Sequence, residues 1–352
     1  MRIVVTGSSG LIGSEAVTHY DAQGHEVHGI DNNMRREFFG EKGDTTWNLE
    51  RLRSATKRFT HHGIDIRDRK ALASMFSEIK PELVIHCAAQ PSHDKAKEIP
   101  FDDFDVNATG TLNLLETTRQ TAKDAVFIYM STNKVYGDAP NELPLVETET
   151  RWDYARPEDY HGIGEDCRID RCTHSLFGAS KAAGDIVAQE YGRYFNMPVG
   201  VFRGGCLTGP SHSGVELHGF LSYLVHVAVY DKPYTIFGYK GKQVRDQIHS
   251  ADVIRAFEEF AKAPRPGAVY NLGGGRENGA SVLECIAMIE KELGRKIRWS
   301  LSEQNRVGDH ICYLSDLRRL KADYPKWGIT HSLPSIIKEM VQAEQSRAKA
   351  GS

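Results

Sequence analysis

Short aliphatic runs alternate with amphipathic stretches along the first half of the chain. The runs at 2–6, 26–30 and 82–86 predict buried strands, and the spacing of apolar residues over 11–23 and 175–195 predicts helices. Weaker patterns predict strands at 60–66, 126–130 and 198–202 and a helix at 104–120. Such alternation is typical of a parallel sheet that helices cover on both faces.

The regular alternation of strand and helix patterns ends after Phe202. Residues 204–239 are irregular, with one helical piece near 220–230, and helical patterns return at 253–262, 281–293, 316–322 and 333–348. The chain therefore divides into two predicted domains. The first comprises residues 1–202 with 246–272 returning to it, and the second is a smaller, mixed C-terminal domain of 203–245 and 273–352.

A glycine triplet stands between the first predicted strand and the first predicted helix. The first glycine permits a tight turn, the second lets the backbone approach a pyrophosphate, and the third lets the helix pack closely on the sheet. The phosphates then meet the positive N-terminus of the helix. This context predicts a Rossmann-like, doubly wound α/β domain that binds a dinucleotide. We assign to the phosphate turn Gly7, Ser9, Gly10, Leu11, Ile12 and Gly13.

An acidic residue, Asp31, ends the second predicted strand, 18 residues beyond Gly13. A carboxylate there binds both ribose hydroxyls and repels a 2′-phosphate, so we favour NAD over NADP, with Asn32 beside the ribose. Arg35 and Arg36 keep the NADP alternative open, because an arginine can hold a 2′-phosphate.

Small and polar residues follow the third and fourth predicted strands. An acid after the third strand can meet the adenine amino group, and small residues after the fourth leave room for a cofactor. For Asp65 and Asn107, a functional and a structural role are equally open. The predicted cofactor contacts in this region are Asp65, Ile66, Ala88, Ala89, Gln90 and Asn107.

Composition narrows the class of protein. The 44 basic and 47 acidic residues leave a net charge of −3, without the basic excess that is usual in nucleic-acid binders. No apolar run reaches the roughly 18 residues of a membrane span, and we expect no secretory signal. The six cysteines form no CxxC pair and the histidines no ligand pattern. We expect a cytoplasmic protein with reduced thiols and no metal site.

Several segments together resemble the extended short-chain dehydrogenase/reductase superfamily, which consists mostly of nucleotide-sugar epimerases and dehydratases. In chain order they are TGSSGLIG, Asp31, HCAAQ, STNKVYGD, SKAA, GKQVRD and RVGD. STNKVYGD at 131–138, ETR at 149–151 and GKQVRD at 241–246 are most similar to the CDP-paratose (CDP-tyvelose) 2-epimerase group. The resemblance implies tightly held NAD, a nucleotide-diphosphate sugar as substrate, and a homodimer formed through helices such as 104–120 and 175–195.

The resemblance also implies a reaction. Such epimerases oxidise a sugar hydroxyl, at C2 in this group, to a ketone and then return the hydride. The signature is a Tyr-x-x-x-Lys helix with a serine or threonine at the end of the preceding strand. Here Thr132 and Lys181 match, and the lysine holds the nicotinamide ribose, but Phe177 stands in the tyrosine position. A phenyl ring cannot exchange a proton.

Three explanations of Phe177 remain open. Another group serves as the base, the phenylalanine is a replacement made to trap a complex, or the protein has lost its redox chemistry. Lys134 is the leading base candidate. Strand alternation puts it on the side of Thr132 if the extended backbone continues, and some dehydratases of the superfamily use a lysine in a similar segment. The weaker candidates are Tyr136, Tyr160, His161 and His174.

Substrate contacts follow from the same resemblance. Arg245 and Arg306 match positions that grip the diphosphate through the bidentate guanidinium, and Phe237 borders the base. The long segment 139–174 is expected to be an ordered lid or a dimer contact. The other predicted substrate contacts are Gln90, Ser92, His93, Thr132, Asn133, Arg203 and Cys206.

Two rival functions stay open. One is a nucleotide-sugar 4,6-dehydratase, although such enzymes often carry Asp-Glu directly after the serine or threonine, where this chain has Asn133-Lys134. The other is a non-catalytic protein that binds NAD or a nucleotide sugar, which Phe177 favours. The intact Thr132 and Lys181 favour an enzyme.

Overall fold

The structure, a computed structural model, describes residues 1–211, 219–303 and 309–350. The chain forms two compact units. Unit 1 comprises Met1–Val135, Ser175–Gly204 and Val253–Tyr270, and unit 2 comprises the remaining segments 136–174, 205–252 and 271–352. Among the described residues, no helix is both long and apolar enough to cross a membrane.

The strands of both units are numbered together. They are β1 (Arg2–Thr6), β2 (Glu26–Ile30), β3 (Phe59–His62), β4 (Leu83–His86), β5 (Val126–Thr132), β6 (Leu145–Glu147), β7 (Trp152–Tyr154), β8 (Val199–Gly204), β9 (Cys206–Thr208), β10 (Tyr234–Phe237), β11 (Val244–His249), β12 (Ala268–Leu272), β13 (Gly279–Ser281), β14 (Trp299–Ser302) and β15 (Cys312–Tyr313).

The α-helices are numbered in the same way. They are α1 (Leu11–Ala22), α2 (Met34–Phe39), α3 (Thr46–Ala55), α4 (Arg69–Ile79), α5 (His93–Ala96), α6 (Pro100–Phe104), α7 (Gly110–Thr121), α8 (Leu176–Phe195), α9 (Phe220–Val229), α10 (Ser250–Lys262), α11 (Val282–Leu293), α12 (Arg318–Asp323) and α13 (Leu333–Ala350).

Unit 1 is built on a seven-stranded sheet in the order β12-β8-β5-β4-β1-β2-β3, with parallel pairing from β8 to β3. The central strands are buried along nearly their whole length, because helices cover both faces. After β3 the chain crosses β1 to form β4, so the strand order reverses between β1 and β4. Ligands of doubly wound sheets bind beyond the carboxyl ends of the strands at such a point.

Unit 2 has smaller sheets. β11 pairs with β13 in antiparallel and with β15 and β9 in parallel orientation. Helices α9, α11 and α13 share a second apolar core that includes Leu224, Ile286 and Ile337. The predicted class, a Rossmann-like doubly wound α/β sheet with a smaller mixed C-terminal region, is confirmed.

Segment 136–174 belongs to unit 2, whereas the sequence pattern had assigned it to the first domain. Ion pairs explain the difference. Arg276 binds both carboxylate oxygens of Asp153 at 2.9 and 3.0 Å, and Arg151 binds Glu284 at 2.5 and 2.8 Å. These partners lie more than 100 positions apart in the sequence, so no local pattern reveals them.

Two predicted elements differ from the observed ones. The third strand ends at His62 rather than 66, because the Asp65 carboxylate accepts the backbone N–H of Arg67 at 2.8 Å and closes a turn. The helix predicted at 104–120 is interrupted by a π-helical turn at Asp105–Thr109. A π turn inserts an extra residue into the helix, which apolar periodicity cannot show.

Candidate functional site

The glycine turn after β1 has no room for a side chain at Gly7 or Gly13. Gly7 has a φ of +65°, and a Cβ atom there would lie 2.8 Å from the backbone nitrogen of Ala88. A Cβ on Gly13 would lie 2.1 Å from the carbonyl oxygen of Gly7. Gly10 occupies the N-cap position of α1. Because glycine has no side chain, it does not cap the first N–H groups of the helix. This geometry fits a pyrophosphate.

The Asp31 carboxylate is fixed by the backbone at the end of β2. One oxygen accepts the N–H of Ser9 at 2.9 Å and the other accepts the N–H of Asn33 at 2.8 Å. The carboxylate lines a cavity of about 250 Å³. The cavity residues are Ser9, Asp31, Asn32, Asn33, Thr45, Thr46, Leu49, His61 and Gly63. A fixed acid in a cavity beside the glycine turn fits the ribose of NAD.

Removing this carboxylate is expected to weaken NAD binding. We expect Asp31→Ala to lower NAD affinity roughly 10- to 100-fold, because charge-assisted hydrogen bonds contribute about 1.5–3 kcal/mol. NADP affinity is expected to fall less, since the repulsion of the 2′-phosphate is also removed. Calorimetric titration measures both. Glu78→Ala, which removes an exposed carboxylate on α4, is the control. An unchanged NAD-to-NADP ratio would contradict the assignment.

The residues after β3 take different roles from one another. Asp65 is bound by the Arg67 guanidinium at 2.8 Å and accepts the side-chain N–H of Asn32 at 3.3 Å. Ile66 is buried in the core of unit 1, where its side chain packs against Gly110. Its backbone alone is left for the predicted cofactor contact.

A buried carboxylate, Asp103, organises the segment after β4. The Gln90 side chain donates to Asp103 at 2.7 Å and to the carbonyl of Ser92 at 2.9 Å. The Asn107 amide bridges the backbone of Gln90 at 2.9 and 3.0 Å and donates to Ser180 at 3.1 Å. Burial raises the pKa of Asp103, against the effect of these hydrogen bonds. We call Gln90, Ser92, Asp103, Asn107 and Ser180 the Asp103 network.

The side chains of Gln90 and Ser92, both of which are predicted ligand contacts, make hydrogen bonds within unit 1. Both side chains are fully buried, and the Ser92 hydroxyl accepts the N–H of Lys95 to cap α5. Their hydrogen bonds hold the segment after β4 in place. Ala88 and Ala89 remain partly exposed, and the N–H of Ala88 donates to the Thr6 hydroxyl at 3.1 Å.

Lys181 is buried beside the end of β5. Its ammonium donates to the carbonyl of Met130 at 2.9 Å and lies 4.3 Å from the ring centroid of Tyr129. Burial lowers the pKa of Lys181 to about 8. The amine is thus held in one place at the carboxyl edge of the sheet, as a ligand of a nicotinamide ribose must be.

The argument that strand alternation aligns Lys134 with Thr132 is wrong. β5 ends at Thr132, and Asn133–Tyr136 form a 3-10 helix. The Thr132 hydroxyl accepts the N–H of Lys134 at 3.3 Å, which closes this turn, and Asn133 is buried. A period of two does not apply beyond the strand.

Phe177 lies in the first turn of α8, where the Ser175 hydroxyl caps the helix by accepting the N–H of Gly178 at 3.1 Å. Its ring is 7% exposed and contacts the imidazole of His93. Phe177 and Lys181 are four residues apart in α8. They therefore lie one turn apart on the same face of the helix.

Arg203 is a predicted substrate contact, and the structure pairs it within unit 1. Its guanidinium binds both oxygens of Asp185 at 2.8 and 3.0 Å, and Asp185 also accepts the Ser131 hydroxyl at 2.6 Å. Arg203 and Asp185 are both buried. Because this pair accounts for the burial of Arg203, we leave Arg203 out of the proposed site.

Unit 2 holds the other predicted substrate ligands. Arg245 is largely buried in β11 and binds Asp309 at 2.9 Å. Phe237 ends β10 and Cys206 begins β9, and both are partly exposed. Arg306 lies outside the described residues.

The weaker base candidates also belong to unit 2. Tyr136 is fully buried and donates to Asn271 at 2.7 Å, which accounts for its hydroxyl. Tyr160 is exposed and packs under Arg276 at 4.3 Å. His161 packs edge-on against Tyr160, and His174 lies 3.9 Å from the Cys172 sulfur. These contacts give no reason to choose any of them as the base.

Sequence reasoning missed Asp103, Ser180 and the pairing of His93 with Phe177. Ser180 lies inside the SKAA segment that the resemblance used, which is the one signal that could have drawn attention to it. Asp103 and His93 carry no motif. Only the fold brings them together.

Comparisons with known proteins agree with this geometry. The profile of the NAD dependent epimerase/dehydratase family matches residues 3–273. CDP-paratose 2-epimerase of Salmonella typhi is 32% identical over 327 residues, covering 91% of this chain and 92% of that protein. UDP-glucose 4-epimerase 2 of Arabidopsis thaliana is 34% identical over 331 residues, covering 89% and 87%.

A solved structure has the same fold over its whole length. UDP-glucose-4-epimerase from Stenotrophomonas maltophila, with bound NAD and formylated UDP-arabinopyranose, superposes with a TM-score of 0.80. The two chains are 23% identical, and the match covers 99% of each. With its glycine turn, fixed Asp31 and buried Lys181, this chain belongs to the NAD dependent epimerase/dehydratase family, and its cofactor is NAD.

Proposed function

We propose that this protein is an NAD-dependent nucleotide-sugar epimerase that works through a transient keto sugar. The favoured reaction is inversion at C2 of a CDP-linked hexose. The 32% identical CDP-paratose 2-epimerase supports the choice of carbon and nucleotide. The observation that carries the proposal is the buried Lys181, held between the Met130 carbonyl and the Tyr129 ring at the end of β5.

The chain's own residues hold and orient the reactants. Bound NAD would supply the acceptor and donor of the hydride. Gly7, Gly10 and Gly13 would hold its pyrophosphate, Asp31 its adenosine ribose and Lys181 its nicotinamide ribose. The Thr132 hydroxyl at the end of β5 is the proposed contact of a sugar oxygen. Its contacts with Asn133 and the N–H of Lys134 are long, at 3.5 and 3.3 Å.

The segment after β5 favours epimerisation over dehydration. Elimination of water needs an acid and a base in addition to the oxidised carbon. Residues 131–136 contain no carboxylic acid, and Asn133 is buried. In unit 2, Arg245 remains the predicted ligand of the diphosphate, for which the guanidinium fork is suited.

The proposal is tested with a panel of CDP-, UDP-, GDP- and dTDP-hexoses. Absorbance at 340 nm follows cofactor reduction, and NMR in deuterated water identifies the product. We expect a transient reduced signal and a new stereoisomer with one sugar of the panel.

Two other results would lead elsewhere. A 4-keto-6-deoxy product would identify a dehydratase. Binding without reduction or product, in both the wild type and Phe177→Tyr, would identify a binding protein, the function that Phe177 itself favours. If Phe177→Tyr reacts and the wild type does not, the phenylalanine blocks an otherwise competent site.

We further propose a homodimer formed through the helices of unit 1. Large apolar side chains on neighbouring helices are exposed: Phe101 and Phe104 on α6, Leu112 on α7, and Ile186 and Tyr194 on α8. Phe101 is 87% and Tyr194 81% exposed, and such surfaces mark interaction sites.

We expect sedimentation to give a dimer for the wild type and a monomer for Leu112→Asp with Ile186→Asp. Leu301→Asp, an exposed apolar residue of unit 2, is the control and is expected to remain dimeric. A monomeric wild type would refute the dimer.

A further inference from the structure

The ring in the tyrosine position has an ionisable neighbour. The centroid of the His93 imidazole lies 5.0 Å from that of the Phe177 ring, and the two planes are inclined by 59°. The imidazole is partly exposed, whereas Phe177 is buried. A group that can exchange a proton therefore borders the ring that cannot.

The position of His93 is fixed by buried hydrogen bonds. His93 begins α5, which the Ser92 hydroxyl caps. The Ser92 backbone is held at both ends by the Gln90 side chain, which accepts its N–H at 2.7 Å and donates to its carbonyl at 2.9 Å. The residue before His93 thus has little freedom to move.

Phe177 is tied to the same network. The Ser180 hydroxyl lies 2.6 Å from Asp103 and 3.1 Å from the carbonyl oxygen of Phe177. Gln90 donates to the other oxygen of Asp103. One buried carboxylate therefore sets the position of α8 and of the segment that ends in His93. The contact between the rings is preorganised.

The carboxyl edge of the sheet is also the right place for chemistry. His93 follows β4, Thr132 ends β5, and these strands are neighbours in the sheet. Lys181 lies one helical turn from Phe177 and reaches the carbonyl of Met130 in β5. The imidazole, the threonine and the lysine belong to adjacent elements of unit 1.

We propose that His93 is the acid and base of this site and takes the place of the missing tyrosine; this assignment rests on the proposed epimerase function. In the oxidation half, an imidazole nitrogen would take the proton of the sugar hydroxyl, the hydride of the same carbon would leave for the oxidised NAD that the site would hold, and the C–O single bond would become C=O. In the reduction half, the imidazolium returns the proton to the oxygen as the hydride comes back. Protons and electrons balance over the cycle.

Phe177 then positions the imidazole of His93. It presents an apolar ring that holds the imidazole in one orientation and leaves His93 as the proton carrier of the pair. Histidine suits this exchange because its two forms interconvert near neutral pH.

The experiment compares His93→Gln with His93→Gln/Phe177→Tyr. We expect the single variant to lower kcat roughly 10²- to 10⁴-fold, the usual contribution of a general acid or base, with KM and bound NAD unchanged. The kcat of the double variant is expected to be at least tenfold higher than that of the single variant, because the tyrosine restores a proton carrier. His25→Gln, a histidine bound to the chain terminus, is the control and is expected to keep full activity.

A second measurement does not depend on turnover. Histidine ring signals are recorded by NMR, and the signal lost in His93→Gln is assigned to His93. CDP and CDP-glucose are then added in turn, as are UDP and UDP-glucose. We expect the His93 signal to move further with a nucleotide sugar than with the corresponding nucleotide, since the imidazole meets the sugar.

The outcomes separate the two proposals. Full activity of His93→Gln overturns the assignment and leaves the epimerase standing. Loss of activity in Lys134→Met with normal His93→Gln gives the role to Lys134. Reaction of Phe177→Tyr but not of the wild type excludes His93 as a working base. Inactivity of wild type and Phe177→Tyr with every sugar overturns both proposals.

Discussion

Asp185→Asn is expected to lower the free energy of unfolding by about 3–5 kcal/mol, because it removes the carboxylate from a buried ion pair. The Arg203 guanidinium keeps its charge at all accessible pH values and stays in the interior of unit 1. The Ser131 hydroxyl loses a charged acceptor at the same time. Urea unfolding followed by circular dichroism measures the change.

The matched control removes both charges. Asp185→Leu/Arg203→Met is expected to recover most of the loss, since apolar replacements of a buried pair are often neutral or stabilising. If Arg203 instead served a substrate, the double variant would be stable and would lose substrate affinity. A loss below 1 kcal/mol in Asp185→Asn would show that the pair does not hold β8 to α8.

Lys181→Met is expected to reduce turnover by a factor of about 10³ or more, because it removes a fixed charge from the reacting centre. Stability is expected to be unchanged or higher at pH 7, since the variant no longer buries an ammonium. The comparison of kcat with urea unfolding separates the two effects. Lys95→Met, which removes a lysine of α5 that is salt-bridged to Glu98, is the control. Equal losses in both variants would contradict a specific role.

The same lysine makes stability depend on pH. Burial lowers its pKa from the ordinary 10.5 to about 8 in the folded protein. Between these values the unfolded chain binds more protons than the folded one, so the contribution of Lys181 to stability rises with pH from about 8 to 10.5. The wild type is therefore expected to gain stability relative to Lys181→Met over this range, as urea unfolding at pH 8 and pH 10 would show.

The local patterns predicted much of unit 1. β1 and β2 occur at the predicted residues, and the glycine turn with Asp31 has the expected geometry. The two strands are short runs of consecutive buried residues, and the turn depends on the positive φ of Gly7, so both features can be read from neighbouring residues. Lys181 followed from the resemblance rather than from any period.

The rest depended on contacts between distant parts of the chain. Asp103 has no motif, and its partners Gln90 and Ser180 lie 13 and 77 residues away. Two irregular turns change the direction in which side chains point, where the sequence predicts regular structure. They are the π turn at Asp105–Thr109 and the 3-10 turn at Asn133–Tyr136. The buried pair of Arg203 and Asp185 likewise could not be predicted, because it forms only when α8 packs on β8.

The interleaving of the two units along the chain has a consequence for synthesis on the ribosome. The seven-stranded sheet takes its edge strand β12 from 268–272, after 205–252 of the other unit have been made. Neither unit is thus a continuous piece that could fold, be excised or be exchanged by one cut. Long-range strand pairing of this kind makes folding slow, and the nascent sheet must wait for its last strand with one edge open.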